Sequence, residues 1–240
     1  MIPIAGDLCS ICGERMVTFS RADESGDESG KDAEIADRAS AEPCSLCRRA
    51  QPSYSRAVAY GAFEDALREA IHLLKYDRVL PAADLLGAKV SAAMAKLPPP
   101  GDGDRVCWLV VPVPLHTSKL RQRGFNQAEF IARAALKHKP VAAELDAKCL
   151  VRHRDTVPQA GLTRHQRREN IRGAFRVRDV DAVRGRDVLL VDDVFTTGTT
   201  ISECARVLLR AGAASVYAVT AARALKADRI RTGRELLEAA

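Results

Sequence analysis

Two acids and a hydroxyl-rich turn stand at the end of an apolar run in Val188-Leu-Leu-Val-Asp192-Asp193-Val-Phe-Thr196-Thr197-Gly198-Thr199-Thr200. A helix pattern follows the turn. A helix N-terminus offers unpaired backbone N–H groups and a partial positive charge, and neighbouring Thr hydroxyls add donors for phosphate oxygens. Gly198 lets the backbone approach a ligand with no Cβ in the way. Adjacent carboxylates repel a phosphate but can accept hydrogen bonds from two neighbouring ribose hydroxyls. No Lys follows the glycine as a P-loop requires, and a single glycine cannot make G-x-G-x-x-G. The combination selects a sugar phosphate. The plainer alternative is a strand-turn-helix in which Asp193 and the threonines only cap the helix.

A second set of reactive side chains lies near the N-terminus, in Cys9-Ser-Ile-Cys12 and Cys44-Ser-Leu-Cys47. Two such pairs have the spacing of a structural zinc site in which four thiolates close a tetrahedron. The long gap between them does not prevent closure, because loop entropy grows slowly with length. A redox C-x-x-C would need a pair at a helix start in a βαβ context, which neither has. Cys107, Cys149 and Cys204 lie in apolar surroundings and are expected to be core residues without chemistry.

The elements that must position these groups follow from periodicity. Ala57–Tyr60 has a strand pattern, and Phe63–Tyr76 carries Leu67, Ile71 and Leu74 at helical spacing. A second helix is expected over Leu80–Leu97, ended by three prolines. The apolar run Val106–Val111 ends at Pro112 and fits a buried parallel strand. A helix over Gln127–His138 follows, and then an Arg-rich region, Arg152–Arg178, expected as strand fragments with a long mobile loop, the plainer alternative for Arg164, Arg167 and Arg168 being a solvated helix face. Asp187–Val194 as a strand, Ser202–Arg210 as a helix, Gly212 as its stop and Ser215–Ala221 as a strand make a βαβ unit and hence a parallel sheet.

Composition narrows the class. Hydrophobic content of 47% with only 5% aromatics suits helices packed on a sheet better than an all-β sandwich. No apolar run approaches the roughly 20 residues that span a bilayer. Residues 1–13 lack the layout of a secretory signal, so the expected location is the cytoplasm, where seven thiols stay reduced. Charge is uneven: Ser118–Arg178 holds 15 Lys or Arg against 5 Asp or Glu, whereas Val17–Pro43 is acidic by 5. The basic stretch should attract polyanions, either phosphorylated small molecules or nucleic acid. It offers few aromatics for base stacking, so any DNA binding should be backbone-driven and salt-sensitive.

The Val188–Thr200 run resembles the motif of type I phosphoribosyltransferases that binds PRPP, 5-phosphoribosyl 1-diphosphate. The resemblance implies that Asp192 and Asp193 are the catalytic pair holding the ribose 2- and 3-hydroxyls, and that Thr196, Thr197, Gly198, Thr199 and Thr200 hold the 5-phosphate. Four further features are similar to ComF- and GntX-like proteins, a family associated with DNA uptake in natural competence. They are the cysteine knuckles, His72-Leu-Leu-Lys75-Tyr76, Val111-Pro-Val-Pro-Leu-His116 leading to Arg123-Gly-Phe-Asn-Gln127, and Gln159-x-x-Leu162 leading to Arg167, Asn170 and Gly173-Ala-Phe175.

The family implies an α/β type I phosphoribosyltransferase fold, a parallel sheet flanked by helices, with a small N-terminal zinc-binding module. The expected division is 1–52 for the module, with an acidic flexible insert over about 18–42, and 53–240 for the phosphoribosyltransferase-like domain. It further implies a pyrophosphate loop after Val111 and a basic segment, Arg152–Gly173, that folds over the site. Lys75, Pro112, Pro114, Arg121, Arg123, Arg152 and Arg167 are then candidates to face the pyrophosphate, with Mg²⁺ on the diphosphate. The loop departs from the short one of metabolic phosphoribosyltransferases in being proline-bracketed. Two functions follow: transfer of phosphoribose to an unidentified acceptor, or non-enzymatic handling of single-stranded DNA with the uptake machinery, the PRPP pocket being a sensor or relic. The sequence leaves the acceptor and any oligomer open.

Overall fold

The computed structural model describes residues 1–16, 42–101, 107–138, 142–157 and 161–225. The acidic stretch over 17–41 and Gln159 lie outside these residues. Strands β1 (Arg56–Ala62), β2 (Trp108–Pro112), β3 (Ala143–Leu145), β6 (Asp187–Phe195) and β7 (Ser215–Arg223) form one sheet in the order β1-β7-β6-β2-β3. Every neighbouring pair in it is parallel. A separate antiparallel ribbon joins β4 (Leu150–Arg152) to β5 (Phe175–Val177).

The central strands are apolar without alternation because both faces of the sheet are covered. Along β6, Val188 and Leu190 enter one core while Leu189 and Val191 enter the other. Helices α2 (Asp65–Lys75), α3 (Pro81–Met94) and α5 (Gln127–Lys137) supply the second core. Leu67, Ile71 and Leu74 of α2 are almost fully buried there, each contributing about 1.5–3 kcal/mol. They fix the helix end that carries Lys75. On the other face α7 (Thr199–Arg210) packs through Ile201, Ala205 and Leu208, beside the four N-terminal cysteines.

The topology creates a crevice. From β2 the chain passes through α5 outward to β3, then returns to place β6 on the opposite side of β2. The connections from β2 and β6 therefore lie on opposite faces, leaving a gap between their carboxyl ends. In open parallel sheets, ligands bind at such a switch point.

Two segments without an expected helix form one. Helix α4 (Thr117–Arg123) starts where His116 accepts a hydrogen bond from the Ser118 N–H and stops at Gly124, whose φ of 87° is the left-handed region. Within the Arg-rich region, where strand fragments and a loop were expected, α6 (Arg164–Ile171) is held by a capping box between Thr163 and Gln166. A short α1 (Ser45–Arg49) carries Cys47. The N-terminal segment is tied to β1 by the Ile4 N–H to Tyr60 carbonyl bond and the Ala57 N–H to Ile11 carbonyl bond.

Candidate functional site

At the crevice, Pro112 of β2 lies opposite Val191 of β6, and the Val113 N–H donates to the Val191 carbonyl at 2.9 Å. That register brings the Pro112–Pro114 loop beside Asp192 and Asp193. Asp193 is buried, and Lys75 Nζ lies 2.8 Å from its Oδ2. The approach is off the direction of a hydrogen bond, so Oδ2 keeps unused acceptor capacity. Lys75 is therefore not a solvated helix end. Asp192 Oδ1 accepts from the Asp193 N–H at 2.9 Å. Burial, then the neighbouring Asp193 charge, push the Asp192 carboxyl up to about 7, against the pull of Lys75 and Arg152. Arg152 is itself held below its ordinary value by burial. Its guanidinium sits over the Phe175 ring and donates to Thr156 Oγ1, and its buried Nε has no hydrogen-bond partner among the described residues.

Beyond the acids the chain turns through Thr196–Gly198 into α7. Gly198 has a φ of 72°, and a Cβ there would lie 2.5 Å from Phe195 Cζ, so the position requires glycine. The Thr197 and Thr199 hydroxyls are 2.7 Å apart. Thr199 and Thr200 open α7 with no side-chain cap, since Gly198 is the N-cap residue. The Thr197 and Thr199 hydroxyls thus lie together at the start of α7. Asp193 does not cap α7 but pairs with Lys75.

Cations flank the acids. A cavity of about 320 Å³ is lined by Lys75, Tyr76, Arg78, Lys119, Gln122 and Arg123. Arg78 donates to the Gln122 carbonyl, and Arg123 lies 5.9 Å from the centre of the Tyr76 ring. Burial, with Arg152 and Arg123 nearby, holds Lys119 below its ordinary value. Arg121 is exposed on α4 and does not line this cavity. Arg167 donates its Nε to the Leu162 carbonyl, bracing the start of α6. His116 serves as the cap of α4 and pairs with Asp155 at 3.2 Å. Lys119 and Arg78 complete a cluster that spacing alone did not assign, because α4 and the turn after α2 are brought together by tertiary packing.

The four cysteines 9, 12, 44 and 47 are buried, with their sulfurs all within 4.8 Å of one another. Cys12 Sγ and Cys44 Sγ are 3.9 Å apart, near the edge of about 3.8 Å that a tetrahedron with Zn–S bonds of about 2.3 Å has. Cys9 Sγ accepts from the N–H groups of Cys12 at 3.5 Å and Cys44 at 3.1 Å. The thiols share protons unevenly: the Cys12 hydrogen bond draws Cys9 down to about 4, and burial pushes Cys47 up to about 12. A divalent cation held by all four would replace those protons. The cluster can hold a metal.

Arg223, at the end of β7, links this cluster to the crevice. It is buried, donates to the Cys12 carbonyl, reaches Cys12 Sγ at 3.7 Å and pairs with buried Glu14 at 2.9 Å. Its guanidinium lies 4.5 Å from the centre of the Phe195 ring, the ring that contacts Gly198. Neither Arg223 nor Glu14 could be picked out from spacing. The only signal is a charged residue ending an otherwise apolar strand.

The fold and this strand-end site define a phosphoribosyltransferase-type domain, and the family description "Phosphoribosyl transferase domain" matches residues 123–234. The "DNA utilization protein YhgH" of Escherichia coli K12 is 32% identical over 183 residues, covering 72% of this chain and 74% of that protein. "Competence protein F" of Haemophilus influenzae is 27% identical over 90% of both chains, and "Competence protein ComFC" of Bacillus subtilis is 25% identical over 90% of this chain and 78% of that one. The chain belongs to the ComF-like family of proteins with a type I phosphoribosyltransferase fold. Among the described residues no helix is long and apolar enough to cross a membrane.

Proposed function

We propose that the chain binds PRPP with Mg²⁺ and transfers its phosphoribosyl group to a nitrogen acceptor with release of pyrophosphate. The observation that carries this reading is the meeting, at the β2–β6 switch point, of an acid pair, a Thr/Gly turn at a helix N-terminus and a cationic cavity reached through Lys75. Asp192 and Asp193 accept from the ribose 2- and 3-hydroxyls. The Thr196–Thr200 turn holds the 5-phosphate with hydroxyls and backbone N–H groups. Lys75, Lys119 and Arg123 face the diphosphate, to which Mg²⁺ supplies further neutralising charge.

The C1–O bond to pyrophosphate breaks as the acceptor nitrogen forms its bond to C1, so positive charge grows on the sugar and negative charge on the leaving oxygens. Fixed cations beside those oxygens stabilise that separation, and the acid pair beside the ribose favours the growing cation. Holding both reactants accounts for much of the remaining acceleration. The names of the relatives, "DNA utilization protein" and "Competence protein", favour a DNA-related setting for this chemistry. A non-enzymatic role in handling single-stranded DNA, with the pocket as a sensor, is the second reading, favoured by those names and by the basic tract. The zinc module is a structural element of the same chain, which we place in the cytoplasm, where its thiols stay reduced.

The protonation of Asp192 gives a test. Its carboxyl keeps a proton until about pH 7, and the protonated form has lost acceptor capacity for a hydroxyl. Binding of ribose 5-phosphate is therefore expected to strengthen from pH 6 to pH 8, by roughly tenfold for a group titrating midway. Isothermal titration measures this after correction for the ligand's own phosphate ionisation near pH 6. A flat profile would remove Asp192 from the diol contact.

A further inference from the structure

The phosphate turn does not close on a single phosphate. A cavity of about 340 Å³ adjoins it on the side facing away from the acid pair, bounded by Thr197, Ser202, Arg164, Arg168, Arg172 and Arg206 among others. Neither Asp192 nor Asp193 lines it. A phosphate has five heavy atoms, and a water's share of liquid volume is about 30 Å³, so a 5-phosphate at the turn leaves most of this space unused. The volume lies in the range of sites that hold a whole small ligand, about 300–1,000 Å³.

The cavity has a direction and a charge. Thr199, Ser202, Glu203 and Arg206 are spaced as one face of α7 and all border it, so it runs about 10 Å along the helix at 1.5 Å per residue. Glu203 is consumed within the fold: it holds Arg206 through two hydrogen bonds, at 2.7 and 2.6 Å, and accepts from the Gly173 N–H at 2.6 Å. Burial raises its carboxyl, but these donors bring it below its ordinary value. Opposite, α6 presents Arg164 and Arg168, with Arg172 just beyond its end, all exposed and without a side-chain ion pair or hydrogen bond among the described residues. Glu169 is the one acid left to face them.

We infer that the 5-phosphate position is also the seat of a phosphodiester, and that the site takes the 3′-terminal ribonucleotide of a single strand. This rests on the sugar-phosphate reading above. Only at the 3′ end of a strand is the ribose diol free for two carboxylates while the 5-phosphate continues into another nucleotide. The preceding nucleotide then occupies the α6–α7 cavity with its phosphate against Arg168 and Arg172.

The test is titration of the full chain with ribose 5-phosphate, with AMP and with the 5′-phosphorylated diadenylate pApA at one salt concentration. pApA is expected to bind at least tenfold tighter than AMP. Arg168→Gln combined with Arg172→Gln should bring pApA to within about twofold of AMP while ribose 5-phosphate still binds. Arg178→Gln, an exposed change outside the cavity, should preserve the difference. Equal affinity for pApA and AMP, or a difference that survives the double substitution, would overturn the inference. So would a 2′-deoxy pApA that binds as tightly as the ribose form, since one of the two hydroxyls would be missing without effect. Failure of ribose 5-phosphate to bind at all would instead overturn the sugar-phosphate reading on which the inference rests.

Discussion

Replacing Asp192 and Asp193 together by Asn is expected to lower the affinity for PRPP and ribose 5-phosphate by at least a hundredfold and to leave the fold intact. A hydrogen bond to a charged group contributes about 1.5–3 kcal/mol. Losing one from each carboxylate thus removes roughly 3–6 kcal/mol, or a factor of about 10² to 10⁴ at 1.4 kcal/mol per decade. The fold should survive because the change has two opposing parts. Asn at 193 leaves Lys75 without its 2.8 Å partner. It also ends the repulsion from Asp193 that, after burial, raises Asp192. The two side chains are isosteric, so packing is kept. Binding measured beside a thermal melt separates the effects: unchanged affinity in a folded variant would dismiss the site assignment, and an unfolded variant would show the acids to be structural.

The second large effect is expected at the cysteine cluster. Freshly purified, reduced protein should contain about one zinc per chain, and Cys44→Ser with Cys47→Ser should lose it. Structural zinc contributes apparent binding energies of about 10–16 kcal/mol in small fingers. Here the cluster also packs into the core beside α7 and the sheet, so its loss should reach beyond the module. Arg223 is placed to carry that effect: without a metal-bound thiolate at Cys12, its buried charge keeps Glu14, the Cys12 carbonyl and the Phe195 ring. Removing support from a buried ion pair costs about 3–5 kcal/mol. At about 2–4 °C per kcal/mol for a chain of this size, Tm should fall by roughly 10 °C or more. Metal analysis and calorimetry on the same sample check both parts. A zinc-free parent protein with an unaltered melt would reject the zinc assignment.

The parts of this site that lie close together in the chain were legible in the sequence. The β6–turn–α7 run declares itself because strand, acids, glycine and helix start are contiguous over Val188–Thr200, and each residue type has a local reason. The cysteine pairs are legible for the same reason, each knuckle being a four-residue unit. Lys75 was a candidate through the family resemblance alone, and its contact with Asp193 depends on how α2 packs on the sheet. Helix α6 was legible only as the alternative to a loop, a solvated helix face of Arg164, Arg167 and Arg168, although its capping box, Thr163 and Gln166, stands in the sequence. The Arg223–Glu14 pair spans 209 positions, and the α6–α7 cavity brings Ala50 and Tyr54 together with Arg164, Arg172, Thr197 and Arg206. Such contacts are set by the order of strands in the sheet, which local periodicity does not encode.

The central claim is that the carboxyl end of β6 is a PRPP site, and calorimetric titration of the full chain with PRPP and Mg²⁺ tests it most directly. Saturable binding near one PRPP per chain is predicted, lost in the Asp192→Asn, Asp193→Asn variant, with pyrophosphate released once a nitrogen acceptor is supplied. A folded, metal-replete parent protein that shows no PRPP binding at millimolar ligand would contradict it.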